Sequence, residues 1–208
     1  MRKYPLAVWG AKRPRPPRDA GMRIVGGTLR GLKLAEVGAG DAAAHLRPTT
    51  DRVREAIFNL LVNGTHGNPI PRARVLDLFA GTGALGLEAL SRGASAVTFV
   101  EDGAKAQALI RSNIAKARAE GAAQLLRQDA TRLPPCRDGG YGLVFLDPPY
   151  AQALGERAVG AALDGGWIAP GAMVVWEESR PPLVPAPLVP IDQRRYGDTL
   201  VTLARLPA

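Results

Sequence analysis

From Arg74 onward the chain alternates short apolar runs with amphipathic segments, and no other feature limits its fold as strongly. The runs are VLDLF (75–79), VTFVE (97–101), QLLRQD (124–129), GLVFLD (142–147) and MVVWEE (173–178). Between them lie the helical patterns ALGLEALSRG and AKAQALIRSNIAKARAE, and a further helix is expected from about Ala151 to Leu163. Parallel neighbours need crossovers of this length. Helices on both faces explain why the runs are apolar at nearly every position. Two last runs, PLVPID and TLVTLARL, have no helix between them, so an antiparallel hairpin is expected to close the sheet. The predicted architecture is α/β, a doubly wound and mainly parallel sheet of seven strands ending in that hairpin.

The segment before Arg74 reads differently. Residues 1–21 mix Pro, Gly and charge without periodicity and are expected to form a disordered basic tail, either an arm or sequence upstream of a start at Met22. Residues 22–50 open with MRIVGGTLRGLKLAEV, expected to be a small hairpin or extended arm turning at Gly26-Gly27 and Arg30-Gly31. Asp51 is expected to cap a helix whose apolar stripe is Val53, Ile57, Leu60 and Leu61, and residues 51–208 are taken as the main domain. Residues 1–54 hold twelve Lys/Arg against four Asp/Glu, while the rest of the chain is balanced, so the whole net charge of +8 sits in the first quarter. High Arg, Ala, Gly and Pro together reflect compositional bias, but bias does not confine charge to one end. A basic segment beside a neutral domain fits a polyanionic partner. The expected phosphate contacts are Arg23, Arg30, Lys33, Arg47, Arg52 and Arg54.

Several classes are excluded by what is scarce. A single cysteine, Cys136, permits no internal disulfide framework. Two histidines, His45 and His66, without paired spacing make a zinc site unexpected, and no metal is assigned. No apolar run is long enough to span a bilayer and no signal-like segment follows the basic start, so a cytoplasmic monomer without membrane association is expected.

The first strand ends in Asp77-Leu78-Phe79-Ala80-Gly81-Thr82-Gly83-Ala84-Leu85-Gly86, a G-x-G-x-x-G at a strand-to-helix turn. Glycines there let the backbone turn tightly and let a cofactor lie against it. A dinucleotide is the ordinary occupant. Asp77, however, would repel a pyrophosphate and suits a cofactor carrying an amine and a sulfonium, which is S-adenosylmethionine. Glu101, ending the second strand, is placed to accept both ribose hydroxyls. Asp129, after the third, either meets the adenine ring or caps a helix. The expected cofactor contacts are thus Asp77, Phe79, Gly81, Thr82, Gly83, Glu101 and Asp129.

The fourth strand ends in Asp147-Pro148-Pro149-Tyr150. Two prolines remove two N–H donors and fix the backbone. What is left is acceptor-only, a carboxylate and the Pro148 carbonyl, beside an aromatic ring. Such a cluster suits an exocyclic amine on a flat base. That amine is a poor nucleophile because its lone pair is delocalised, and two acceptors on its hydrogens stabilise charge as a methyl group arrives. Tyr150 can stack on the base and position it. Asp147, Pro148 and Tyr150 are the candidate catalytic residues. A rigid strand-end turn is the competing explanation of the prolines.

With these residues in view, the chain resembles the bacterial small-subunit rRNA guanine-N2 methyltransferases, which modify guanine 966 of 16S rRNA. The likeness runs from Met22 nearly to the C-terminus. It is carried by M-R-I-V-G-G-x-x-R-G, by Arg47-Pro48-Thr49-Thr50-Asp51-Arg52-Val53-Arg54-Glu55, by D-L-F-A-G-T-G-A-L-G and by F-L-D-P-P-Y. The resemblance implies a class I methyltransferase fold of Rossmann-like type, S-adenosylmethionine as cofactor, and ribosomal RNA or a small-subunit assembly intermediate as partner. It also implies that the R-P-T-T-D-R segment borders both sites, with Thr50 toward the cofactor. The residues by themselves do not separate guanine N2 from adenine N6, since D-P-P-Y serves both amines. An adenine-N6 methyltransferase on DNA or RNA, or a non-catalytic RNA-binding protein of this fold, are the alternatives.

Overall fold

A computed structural model describes residues 21–36, 51–149 and 153–208. The expected tail, the later part of the arm (including Arg47 and Thr50) and Tyr150 lie outside the described residues.

Seven strands form one sheet in the order β3-β2-β1-β4-β5-β7-β6. They are β1 (Arg74–Leu78), β2 (Ala96–Val100), β3 (Ala123–Leu126), β4 (Tyr141–Leu146), β5 (Ile168–Glu178), β6 (Val189–Tyr196) and β7 (Thr199–Arg205). The first five are mutually parallel. β7 inserts antiparallel between β5 and the edge strand β6, which is the expected closing hairpin. Two strands run past their expected limits. β5 begins at Ile168 because Ile168 pairs with Tyr141 across an irregularity in the β4–β5 register, over residues whose Pro170-Gly171 reads as a break. β6 continues through Gln193-Arg194-Arg195, whose exposed, polar side chains follow from its edge position.

Each face of the sheet has its own core. Val75, Phe99, Phe145 and Val175 pack beneath α1 (Asp51–Asn63), α2 (Ala84–Ser91) and α3 (Ala104–Ala117). Leu76, Leu78, Leu146 and Trp176 face the opposite way, with α4 (Leu154–Asp164) over them. No helix among the described residues is long and apolar enough to cross a membrane.

The arm is a hairpin, as its turn residues predict: Arg23 and Lys33 form an antiparallel bridge, and Ile24 N–H and Leu34 N–H donate to Leu32 and Met22 carbonyls. It is not, however, a unit apart from the sheet domain. Met22, Ile24 and Leu34 are buried in the same core as α1, α2 and α3. Glu88 of α2, wholly buried, accepts the Val25 and Gly26 N–H groups at 2.7 and 2.8 Å. Ser91 receives Leu29 N–H and donates to the Gly26 carbonyl. The boundary expected at residue 50 therefore does not separate the described arm, residues 22–36, from the sheet.

Candidate active site

Ligands of open α/β sheets bind beyond the carboxyl ends of the strands, where strand order reverses. Here that point lies between β1 and β4. Leu78 is the register partner of both Val100 and Leu146, so Phe79, Glu101 and Asp147 emerge from the sheet at one level. Asp77, one residue inside the end of β1, pairs with Phe99 and Phe145.

The glycine loop follows. Gly83, at φ +77°, is the N-cap of α2 and occupies a backbone region that side chains rarely adopt. Gly86 is required for a different reason: a Cβ there would lie 2.5 Å from the Phe99 ring and 2.6 Å from Val97, so only glycine lets α2 approach β2. Phe79 is an aromatic residue at φ +58°, a rare conformation for a bulky side chain, found where a site constrains the backbone. It leaves the strand one residue earlier than expected.

Three carboxylates converge on the crevice. Asp77, almost fully buried, accepts Gly86 N–H at 2.9 Å. Burial holds its pKa well above the usual carboxylate range. Gly86 N–H opposes that shift, while the negative charges of Asp147 and Glu101 add to it. Glu101 accepts Gly81 N–H at 2.9 Å and Gly103 N–H at 2.8 Å, so it braces the loop from below. Its pKa is also raised, chiefly by burial. The Asp102 N–H also favours its ionised form, and the carboxylate keeps acceptor capacity for a further donor. Asp147 follows β4 half-buried, with Pro148 buried and Pro149 exposed.

The remaining candidates fall in different places. Thr82 turns its hydroxyl inward to the Met22 sulfur at 3.3 Å, so its side chain serves the arm and not a cofactor. Asp129 caps the short 3-10 turn Ala130–Arg132, accepting Thr131 N–H at 2.8 Å and Thr131 Oγ1–H at 2.7 Å. The Thr131 hydroxyl is the first cause of its lowered pKa. This is the capping alternative, and Asp129 Oδ2 is further shared with Arg132 at 3.7 Å.

Among the cations, Arg23 and Arg30 line a cleft of about 330 Å³ together with Val25, Gly31 and Glu55. Lys33 and Arg52 are exposed. Arg54 corrects the sequence expectation. Its side chain is fully buried, with Nη2 donating to Asp51 at 2.6 Å and to the Arg23 carbonyl, and with Nε 3.8 Å from Glu88. A guanidinium so enclosed is not available to phosphates. Arg92 completes the cluster, its Nε 2.8 Å from Glu88. Glu88 and Asn113, neither foreseen from the sequence, join the arm to the helices over the sheet together with Ser91. The signal for Arg54 was present: with Ile57, Phe58 and Leu61 it shares the buried stripe of α1. Glu88 had one too, as a lone acid in an apolar helix.

The residues fit S-adenosylmethionine. A glycine cradle allows close approach of the nucleoside, Glu101 has acceptor capacity left, and the crevice is negative where a sulfonium and an ammonium would lie. Among the described residues no cluster of His, Cys, Asp and Glu could hold a metal ion.

The family described as conserved hypothetical protein 95 matches residues 22–205. The ribosomal RNA small subunit methyltransferase D of Escherichia coli is 41% identical over 179 residues, covering 84% of this chain and 85% of its own. The enzyme of the same name from Haemophilus influenzae is 34% identical over 173 residues, covering 81% and 85%. A solved Escherichia coli structure, provisionally described as the methyltransferase yhhF, superposes with a TM-score of 0.74 at 35% identity, covering 90% of this chain and 99% of that one.

Proposed function

The chain belongs to the family described as conserved hypothetical protein 95, and from that premise we propose that it methylates the N2 amine of a guanine in small-subunit ribosomal RNA. Its fold is that of class I methyltransferases and its methyl donor is S-adenosylmethionine. The relatives named for the small ribosomal subunit support 16S rRNA as substrate.

The observation that carries the reading is Asp147-Pro148-Pro149 at the end of β4, level with Glu101 and electrostatically coupled to Asp77. The cofactor brings an activated methyl group on a sulfonium. Everything else falls to the chain. Asp147 and the Pro148 carbonyl accept the hydrogens of the target amine, which concentrates its lone pair and stabilises the positive charge that develops on nitrogen. Asp147 is the proximate acceptor for the proton then lost. Glu101 holds the ribose, and Asp77, beneath the loop, is the carboxyl that a cationic cofactor drives toward its ionised form. Purified protein incubated with isotopically labelled cofactor and unmodified small-subunit RNA should yield labelled N2-methylguanosine after digestion to nucleosides. Label in N6-methyladenosine would replace this reading by the adenine alternative.

Glu101→Ala should weaken cofactor binding by roughly 10- to 150-fold, the equivalent of about 1.5–3 kcal/mol for a charge-assisted bond to the ribose. An unchanged dissociation constant in calorimetry would reduce Glu101 to a brace of the loop.

The raised pKa values of Asp77 and Glu101 fix the sign of a pH effect. In the free protein these groups hold protons above the ordinary carboxylate range. A cationic ligand favours their ionised forms, so binding should release protons, and affinity should fall as pH is lowered through the raised values. Calorimetry in two buffers of different ionisation enthalpy reads this directly, and proton uptake on binding would contradict it.

RNA affinity should depend steeply on salt through the arm. Neutralising Arg23, Arg30 and Lys33 together should flatten the log–log salt slope by about 2–3 units, since each lost phosphate contact removes roughly 0.7–0.9. A slope unchanged in the triple variant would move the RNA face away from the arm.

A further inference from the structure

The arm and the cofactor loop meet at one side chain. Asn113 of α3 is fully buried, and its amide uses every group it has. Nδ2 donates to the Thr82 carbonyl at 2.9 Å and to the Ala35 carbonyl at 3.1 Å, while Oδ1 accepts Ala35 N–H at 2.6 Å. Thr82 lies between Gly81 and Gly83 in the cofactor loop. Ala35 lies at the end of the arm hairpin whose other residues, Arg23 and Arg30, line the basic cleft. Only a primary amide offers two donors and an acceptor at this length. A buried network satisfied in this way holds one arrangement, because a broken bond leaves a polar group without a partner.

We propose that Asn113 is a positioning residue that links the two ligand sites, so that RNA on the arm and the cofactor on the loop strengthen each other's binding. The inference rests on the proposed RNA activity. Asn113 fixes the Thr82 carbonyl within the cofactor loop, and Gly83 N–H to the Ala80 carbonyl at 2.7 Å closes that turn. A cofactor that packs on the loop favours this arrangement, and therefore favours the Ala35 bonds. RNA that docks on the arm favours the Ala35 bonds, and therefore the loop. Reciprocity requires the two enhancements to be equal. Met22 against Thr82 gives the arm a second hold on the same loop residue.

The test measures the affinity of full-length protein for a small-subunit RNA transcript with and without saturating S-adenosylhomocysteine, in wild type, Asn113→Asp and Ala35→Pro. Asn113→Asp keeps size but loses both donors. Ala35→Pro removes the N–H that donates to Asn113 and turns a ring carbon toward Oδ1, so it breaks the same link from the arm side without touching α3. In wild type this cofactor product should tighten RNA binding on the order of 5-fold or more. In both variants, where folded, that ratio should fall to about one while RNA is still bound. A ratio retained in either folded variant, or a ratio of one in wild type, overturns the linkage and leaves Asn113 a packing residue. Wild-type protein that neither binds nor methylates the transcript would instead overturn the proposed function, an outcome read without any variant.

Discussion

Replacing Asp147 by alanine should abolish most methyl transfer, by on the order of 10²–10³ or more, while leaving cofactor affinity within a few-fold. The asymmetry follows from geometry. Asp147 leaves β4 beside the end of β1 and in the proposed reaction faces the target amine, whereas the loop and the proposed ribose contact Glu101 follow β1 and β2. Losing this acceptor removes an interaction that strengthens as charge develops on nitrogen, so turnover should fall in single-turnover assays. Removing Asp147 also lifts one of the charges that raise the Asp77 pKa, so the cofactor is expected to remain bound. Near-normal turnover in this variant would reassign the Asp-Pro-Pro turn to a structural role.

The second large effect concerns stability. Glu88→Ala should destabilise the fold by about 3–5 kcal/mol, the penalty typical of stripping one partner from a buried ion pair. Glu88 and Arg54 are both wholly buried, with Arg54 Nε 3.8 Å from the Glu88 carboxylate. Among the described residues, Arg54 Nε and Nη1 have no hydrogen-bond partner, so its charge rests on Asp51 at 2.6 Å and Glu88 at 3.8 Å. The same substitution strands the Val25 and Gly26 N–H groups and the Arg92 guanidinium. Chemical denaturation should show the midpoint falling sharply. A loss under about 1 kcal/mol would mean that the enclosure around Arg54 relaxes and admits water. Glu88→Gln should fall between the two, since an amide carbonyl still accepts one N–H while its charge is gone.

The sheet was legible in the sequence because its cause is local and repetitive. Apolar runs of four to six residues separated by crossover-length helical patterns admit a parallel sheet and little else, and the strands β1 to β4 lie within a few residues of where those runs place them. The glycine loop was legible because Gly83 and Gly86 stand where a side chain is strained or blocked, and Asp147-Pro148-Pro149 stands directly after the fourth strand as its sequence position predicts. The arm's integration was not, because it depends on side chains that capture backbone groups over long separations: Glu88 binds N–H groups more than sixty positions away, and Asn113 reaches seventy-eight. Such contacts leave no periodicity. Arg54 misled for a related reason. Read beside Arg52 it looks like half of a basic pair, yet two residues are about half a turn of helix, so Arg52 is exposed while Arg54 falls on the buried stripe of α1. The charge asymmetry of the first quarter therefore overstates the arm's surface charge by at least Arg54.

The proposed reaction is methylation of a guanine N2 in small-subunit RNA with Asp147 as acceptor. The most direct test is nucleoside mass spectrometry of 16S rRNA from cells lacking the protein, complemented with wild-type protein or with Asp147→Ala. The account predicts that N2-methylguanosine in that RNA decreases on deletion, returns with wild type and does not return with Asp147→Ala. Guanine methylation unchanged by the deletion, or a loss confined to N6-methyladenosine, would contradict it.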